Sequence, residues 1–206
     1  MFDNREQAGE LLSKKLENYK KRGEVVVLGI PRGGVVVASK VAELLKLSLD
    51  IVIVKKIGAP HNPELAIGAV AGAKIIYWDN RLCRQLGVQP NEKLKIKNEK
   101  LRELAERERL LRGKKNYNNL KNKTVILVDD GVATGATAIA AGKFIKKMAA
   151  QKIILAVPVI AKDTLLYIKR YFDEVVFLES PEGFHAVGQF YQEFNQITDD
   201  EVRKLL

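Results

Sequence analysis

The 206-residue chain contains one cysteine, Cys83, and two histidines, His61 and His185. A single thiol cannot form an intramolecular disulfide, and neither a cysteine-based zinc site nor a histidine cluster can be assembled. No apolar run approaches the ~20 residues that a membrane-spanning helix requires. The opening residues, Met1-Phe-Asp-Asn-Arg-Glu, lack the basic start and apolar stretch of a secretory signal, so a cytoplasmic location is the default expectation. Also missing are the Gly-x-x-x-x-Gly-Lys-Ser/Thr phosphate loop and the Gly-x-Ser-x-Gly nucleophile elbow.

What is present describes a soluble globular protein, 47% hydrophobic and 29% charged. Its length suits one domain over residues 1–206 that buries roughly 70% of its unfolded surface. The net charge of +10 is unevenly spread: residues 91–123 carry 12 Lys/Arg against 5 acids, whereas residues 173–206 carry 2 against 8. A basic chain of this kind attracts either nucleic acid or a small polyanionic substrate, and charge alone does not choose.

Along the chain, residues 4–21 read as a helix capped by Asn4, with Ala8, Leu11, Leu12 and Leu16 on one face. Val25–Ile30 is a continuous apolar run, the pattern of a strand buried on both faces of a parallel sheet. Pro31-Arg-Gly-Gly34 turns the chain into a helix over Val35–Leu47, and residues 49–54 form the next strand. With further strands at 124–129 and 153–158, the succession indicates an α/β doubly wound sheet. Residues 57–73, with two prolines and three glycines, make a poor helix or strand and read as a mobile segment. Lys74–Trp78 reads as a strand paired with part of it. Residues 91–112 read as a long charged helix with Leu94, Leu101, Leu104 and Leu111 on an apolar seam.

The most informative stretch is Thr124–Thr137. Four apolar residues, Val125–Val128, end in two adjacent carboxylates, Asp129 and Asp130, followed by a small hydroxyl-bearing loop that opens an Ala-rich helix. Unpaired N–H groups at such a helix start, with the hydroxyls of Thr134 and Thr137, make an anion site. Carboxylates beside a phosphate repel it unless something neutral or cationic intervenes. A ribose does so, its hydroxyls donating to the aspartates while its 5′-phosphate reaches the loop.

Asp129-Asp130-Gly-Val-Ala-Thr134-Gly135-Ala-Thr137 after an apolar strand closely resembles the 5-phosphoribosyl diphosphate (PRPP) motif of type I phosphoribosyltransferases. The resemblance extends over about Val25–Phe194 and is nearest to bacterial members whose acceptor is unassigned. It implies an α/β fold with a central, mainly parallel sheet flanked by helices, a core over about 23–180, a mobile loop at 57–73, an inserted charged helix at about 91–113 and a small C-terminal hood over about 180–206. It also implies that Asp129 and Asp130 grip the ribose 2′- and 3′-hydroxyls, partly through Mg²⁺, a hard cation that prefers carboxylate and phosphate oxygens. Gly131, Val132, Ala133, Thr134, Gly135, Ala136 and Thr137 are expected to hold the 5′-phosphate. Adjacent strand positions face opposite ways, so one of the two aspartates is expected to be mainly structural. An asparagine at 130 is expected to cost PRPP affinity with little loss of fold, the site being exposed at a sheet end. Members acting on hypoxanthine or guanine carry an aspartate where this chain has Ala133, which argues against 6-oxopurine salvage.

The loop Ile30-Pro-Arg32-Gly33-Gly34 ends the first core strand, where open α/β sheets place ligands. The resemblance gives it pyrophosphate, with Arg32 and Gly33 as binding positions. Lys55 and Lys56 follow the next strand, where relatives often carry a basic pyrophosphate ligand; the sequence does not choose between them. His61 and Asn62 are the polar candidates in the mobile segment. In the hood, Phe184, His185 and Tyr191 are candidates to stack on and orient a planar acceptor, while Phe190 and Phe194, at helical spacing, read as core.

The leading expectation is therefore Mg²⁺-dependent transfer of a phosphoribosyl group to a nitrogen acceptor, with pyrophosphate released. A regulator that senses PRPP and binds RNA or DNA is the alternative, supported by the basic 91–123 segment. A third is an inactive fold that forms a homo-oligomer through the 91–112 helix.

Overall fold

The computed structural model describes residues 1–60, 62–72, 74–113, 116–117 and 119–206, with Glu64 as backbone alone. Helix α1 (Arg5–Lys15) starts at Asn4, whose side chain accepts the Gln7 N–H, the cap expected from sequence. The Leu16 turn and the short 3₁₀ turn Glu17–Tyr19 end it earlier than the apolar pattern suggests.

Strands β1 (Val25–Gly29), β2 (Ser48–Ile51), β6 (Thr124–Val128), β7 (Lys152–Val159) and β8 (Glu174–Glu179) form a parallel sheet in the order β2-β1-β6-β7-β8. Its inner strands are apolar at successive positions because both faces are covered. On one face Val25, Val27, Ile126, Val128, Ile154 and Ala156 pack against α1 and α2 (Gly33–Leu45). On the other, Val26, Leu28, Val125, Leu127, Leu155 and Val157 pack against α5 (Ala136–Lys147), whose Phe144 is fully buried. β8 was not anticipated from sequence. Its residues are only half-buried, so it lacks the apolar run that marks the inner strands.

A second, antiparallel sheet joins β3 (Val54–Ala59), β4 (Asn62–Ala71) and β5 (Ile75–Trp78). This corrects two expectations. The 49–54 strand is two pieces: β2 stays in the parallel sheet and the chain leaves it through Val52 and Ile53 to start β3. The described residues between 57 and 71 are largely extended, and glycine and alanine among them serve close packing. A Cβ on Gly68 would lie 2.4 Å from the Tyr77 carbonyl oxygen, so only glycine lets β5 approach β4 there. The β4–β5 pairing itself follows the sequence expectation. His61 lies outside the described residues.

Helices α3 (Asn80–Gln85) and α4 (Pro90–Arg112) follow. α4 lies on β3 and β4 with Leu104 and Leu111 buried, whereas Leu94 is 57% exposed and lies outside the packed seam. After α6 (Lys162–Ile168) and β8, the chain makes a single 3₁₀ turn at Val187–Phe190 and ends in α7 (Asp199–Lys204). Phe190 is core as expected. Phe194 is not: no helix continues beyond Phe190, and its ring is exposed against Arg5. Among the described residues no helix is long and apolar enough to cross a membrane.

Candidate active site

The strand order fixes where a ligand fits. From β1 the chain turns towards β2, and from β6 it turns the opposite way towards β7, so the loops leaving these neighbouring strands diverge and open a crevice at their carboxyl ends. Two helices, α2 and α5, begin there, both with their N-termini towards the crevice. Their first N–H groups carry the positive end of the helix dipole.

Asp129 and Asp130 stand at the end of β6. The Asp130 N–H donates to Asp129 Oδ1 at 2.9 Å. Asp130 Oδ2 accepts from Arg5 Nε at 2.8 Å, an ion pair whose side chains are 9% and 16% exposed. Arg5 Nη1 also donates to the Asn195 carbonyl at 2.9 Å, and its guanidinium lies 3.8 Å from the Phe194 ring centre. The Tyr191 hydroxyl donates to the Asp130 carbonyl at 2.6 Å. Asp130 is thus tied into the frame through both its side chain and its carbonyl. The premise that its surroundings are open is corrected, because α1 and the C-terminal segment enclose it.

Burial raises the Asp129 carboxyl well above the usual range, and the neighbouring Asp130 charge adds to this. Burial also raises Asp130, against the opposing pull of Arg5. Both groups are therefore poised to gain from a cation or from hydroxyl donors.

The β1 loop closes over this pair. Pro31–Arg32 is a cis peptide. A Cβ on Gly33 would lie 1.9 Å from Asp130 Oδ2 and 2.6 Å from Arg5 Nε, so glycine is required for the loop to pass. Gly33 therefore has a packing duty beside the ligand role expected of it, and the exposed Arg32 borders the cavity.

The loop after Asp130 is pinned from outside. Val132 forms a parallel bridge with Ile160, its N–H donating to the Val159 carbonyl at 2.9 Å. That N–H is unavailable to a phosphate, a correction to the expectation that the whole run from Gly131 offers its amides. The Ala133 and Thr134 carbonyls accept from Thr164 and Tyr167 on α6. Gly135 takes φ +75°, the left-handed conformation that starts α5. Among the described residues, no protein acceptor meets the N–H groups of Ala133, Thr134, Gly135, Ala136 and Thr137. These N–H groups stand open at the start of α5, with the Thr134 and Thr137 side chains half-exposed.

Asp129, Asp130, Thr137, Arg32, Lys55 and Lys56 all border one cavity of about 970 Å³. Lys55 and Lys56 lie in β3, paired with Val70 and Ala69, and not at an end of the parallel sheet. Lys55 Nζ lies 3.0 Å from Glu103 on α4, which closes the cavity from the far side. Phe184, His185 and Tyr191 do not line it. Phe184 packs on Phe190 with ring centres 5.0 Å apart and borders a separate cavity of about 380 Å³ beside Lys162 and Glu182. His185 is exposed, and Tyr191 is buried beneath Asp130.

Sequence reasoning missed Arg5 and the cavity-facing residues of α4. Arg5 lies 125 positions from its partner, with no local pattern to mark it. The acid–base alternation of α4 reads as a solvated face, and only the fold reveals that one stripe of it faces inward.

Two Mycobacterium tuberculosis proteins, provisionally named phosphoribosyl transferases MT0597 and Rv0571c, are each 40% identical to this chain over 203 residues. The match covers 98% of this chain and 45% of theirs, so the chain spans less than half the length of these relatives. The crystal structure of TT1426 from Thermus thermophilus superposes with a TM-score of 0.79 at 37% identity, covering 99% of this chain and 96% of that one. AQ2163 from Aquifex aeolicus shares the fold at 15% identity, with a TM-score of 0.55 over 89% of this chain and 78% of that one. Residues 3–193 match the sequence profile of the phosphoribosyl transferase domain. The chain belongs to the phosphoribosyl transferase domain family.

Proposed function

We propose that residues 1–206 act as one PRPP-dependent transferase that moves a 5-phosphoribosyl group to a nitrogen acceptor and releases pyrophosphate. The observation that carries this reading is the convergence on one cavity of the Asp129–Asp130 pair, Thr137 at the end of the open N–H run, and the cationic group of Arg32, Lys55 and Lys56. An elongated ligand with an anion at each end and a diol between them matches that order of charges.

In this reading the amides of Ala133–Thr137 fix the 5′-phosphate, and the aspartates take the ribose hydroxyls. Arg32, Gly33, Lys55 and Lys56 receive the diphosphate. Held at both ends, the C1 carbon is presented for in-line attack. The C1–O bond breaks with its electron pair leaving on pyrophosphate, the acceptor nitrogen bonds to C1, and the nitrogen sheds its proton. No side-chain nucleophile is needed; the gain is positional and electrostatic.

Asp129 and Asp130 are the residues that would hold Mg²⁺. Among the described residues no group of three His, Cys, Asp or Glu could enclose a metal. This donor set suits Mg²⁺ arriving with a diphosphate, since that ion commonly takes one or two carboxylates plus phosphate oxygens and water. When bound, Mg²⁺ supplies positive charge to the leaving oxygens.

The alanine at 133 leaves no acid there for a 6-oxopurine. Calorimetry with PRPP and MgCl₂, followed by a screen of bases, amines and nucleotides for pyrophosphate release, tests the reading. Failure to bind PRPP overturns it.

A further inference from the structure

The inner face of α4 closes the diphosphate end of the cavity, and no motif accounts for it. Ile96, Glu99, Lys100, Glu103 and Arg107 all border the cavity, and their spacing places them on one helical stripe. Opposite them stand Arg32 and the two β3 lysines. Glu103 is the pivot: its Oε2 lies 3.0 Å from Lys55 Nζ and its Oε1 2.5 Å from Lys100 Nζ. One carboxylate thus pairs with ammonium groups from two separate elements, and Glu99 Oε1 lies 3.5 Å from the Lys100 Nζ as well.

Burial opposes ionisation of Glu103, but hydrogen bonds from Lys100 and Lys55 outweigh it and hold its pKa below the ordinary value. Lys100 is raised in turn, chiefly by its hydrogen bond to Glu103. All three side chains remain partly open to solvent, at 35% for Lys55, 32% for Glu103 and 23% for Lys100. Further along the same stripe α4 is anchored by Arg107, whose Nη1 lies 2.5 Å from Asp199 Oδ2 in α7.

We propose that α4 completes the diphosphate-binding end of the site, with Lys100 and Lys55 as direct phosphate ligands and Glu103 as a resident counter-ion that the phosphates displace. The proposal rests on the PRPP reading above. A diphosphate presents more anionic oxygens than one carboxylate, and each ammonium has three donors to share between partners. Before binding, Glu103 screens the two lysines from each other and keeps them aimed into the cavity, so little order is lost when the ligand arrives. After binding, Glu103 swings towards solvent, to which it is already partly open. Its presence lowers affinity for the leaving group, which favours release of product.

The test uses calorimetry on the whole chain in MgCl₂ with three probes: inorganic pyrophosphate, PRPP and ribose 5-phosphate. Lys100→Ala is expected to weaken pyrophosphate and PRPP by about tenfold, the loss of one charge-assisted contact. It leaves ribose 5-phosphate unchanged, since that probe has no diphosphate, and Lys100→Arg restores most of the affinity. Glu103→Gln is expected to tighten pyrophosphate about three- to tenfold at low salt by removing the competitor. Thermal melts establish that each variant is folded. If Lys100→Ala affects all three probes alike or none, or if Glu103→Gln weakens pyrophosphate, α4 is only a structural brace. If the unaltered chain binds neither PRPP nor ribose 5-phosphate, the PRPP reading itself fails and this proposal with it.

Discussion

Arg5 Nε lies 2.8 Å from Asp130 Oδ2, tying the first helix to the acid at the end of β6. Because both side chains are largely buried, removing either partner strands the other. Arg5→Ala is expected to lower stability by about 2–4 kcal/mol, read as a fall in the urea midpoint at unchanged slope. Asp130→Asn is expected to lose stability as well as PRPP affinity. That result would differ from the intact fold expected from sequence, and the enclosed ion pair is the reason.

Asp129 gives the opposite sign. Its folded-state pKa is raised above the ordinary 3.8, so the native protein holds a proton that the unfolded chain has released. Stability contributed at this residue is therefore present below pH ~4 and declines as pH rises through the interval up to the folded value. Asp129→Asn should flatten that decline and be the more stable protein at neutral pH, while binding PRPP more weakly. Urea unfolding of both proteins between pH 4 and 7 checks it; parallel curves would contradict the raised pKa.

Gly33→Ala places a methyl group on the Asp130 carboxylate, so either the β1 loop or the ion pair must shift. A cost of about 1–3 kcal/mol is expected, with a larger proportional loss of pyrophosphate affinity than of ribose 5-phosphate affinity. Chemical denaturation and calorimetry separate the two effects.

Tyr191→Phe removes the hydrogen bond to the Asp130 carbonyl but keeps the ring packed on Phe2, whose centre is 5.4 Å away. A loss of about 1 kcal/mol is expected. Unchanged stability would show that the hydroxyl does not help to hold the Asp130 corner.

The part of the fold most legible in sequence was the part with the strongest local pattern. Val25–Gly29 and Val125–Val128 are buried on both faces and read as parallel strands without help from any other segment. The carboxylate pair and the loop that opens α5 were legible because strand, acids and hydroxyls lie close together in sequence. The β3–β4 hairpin was not, because glycine and alanine there serve tight strand packing, which has the same composition as a loop. β8 was missed because a half-buried edge strand carries little apolar signal. Arg5 and Glu103 were missed for a different cause: their roles are set by partners on distant elements, and composition records only that they are charged.

The segments that meet at Asp130 have a consequence for the order of events during synthesis. Arg5, Tyr191 and Asn195 approach it from both extremities of the chain, and contacts of such long separation form late. A nascent polypeptide halted near residue 180 would possess the β6 corner and Arg5 yet lack the Tyr191 and Asn195 contacts that enclose them. The enclosure of Asp130 is therefore completed only once residues 191–195 have emerged from the ribosome.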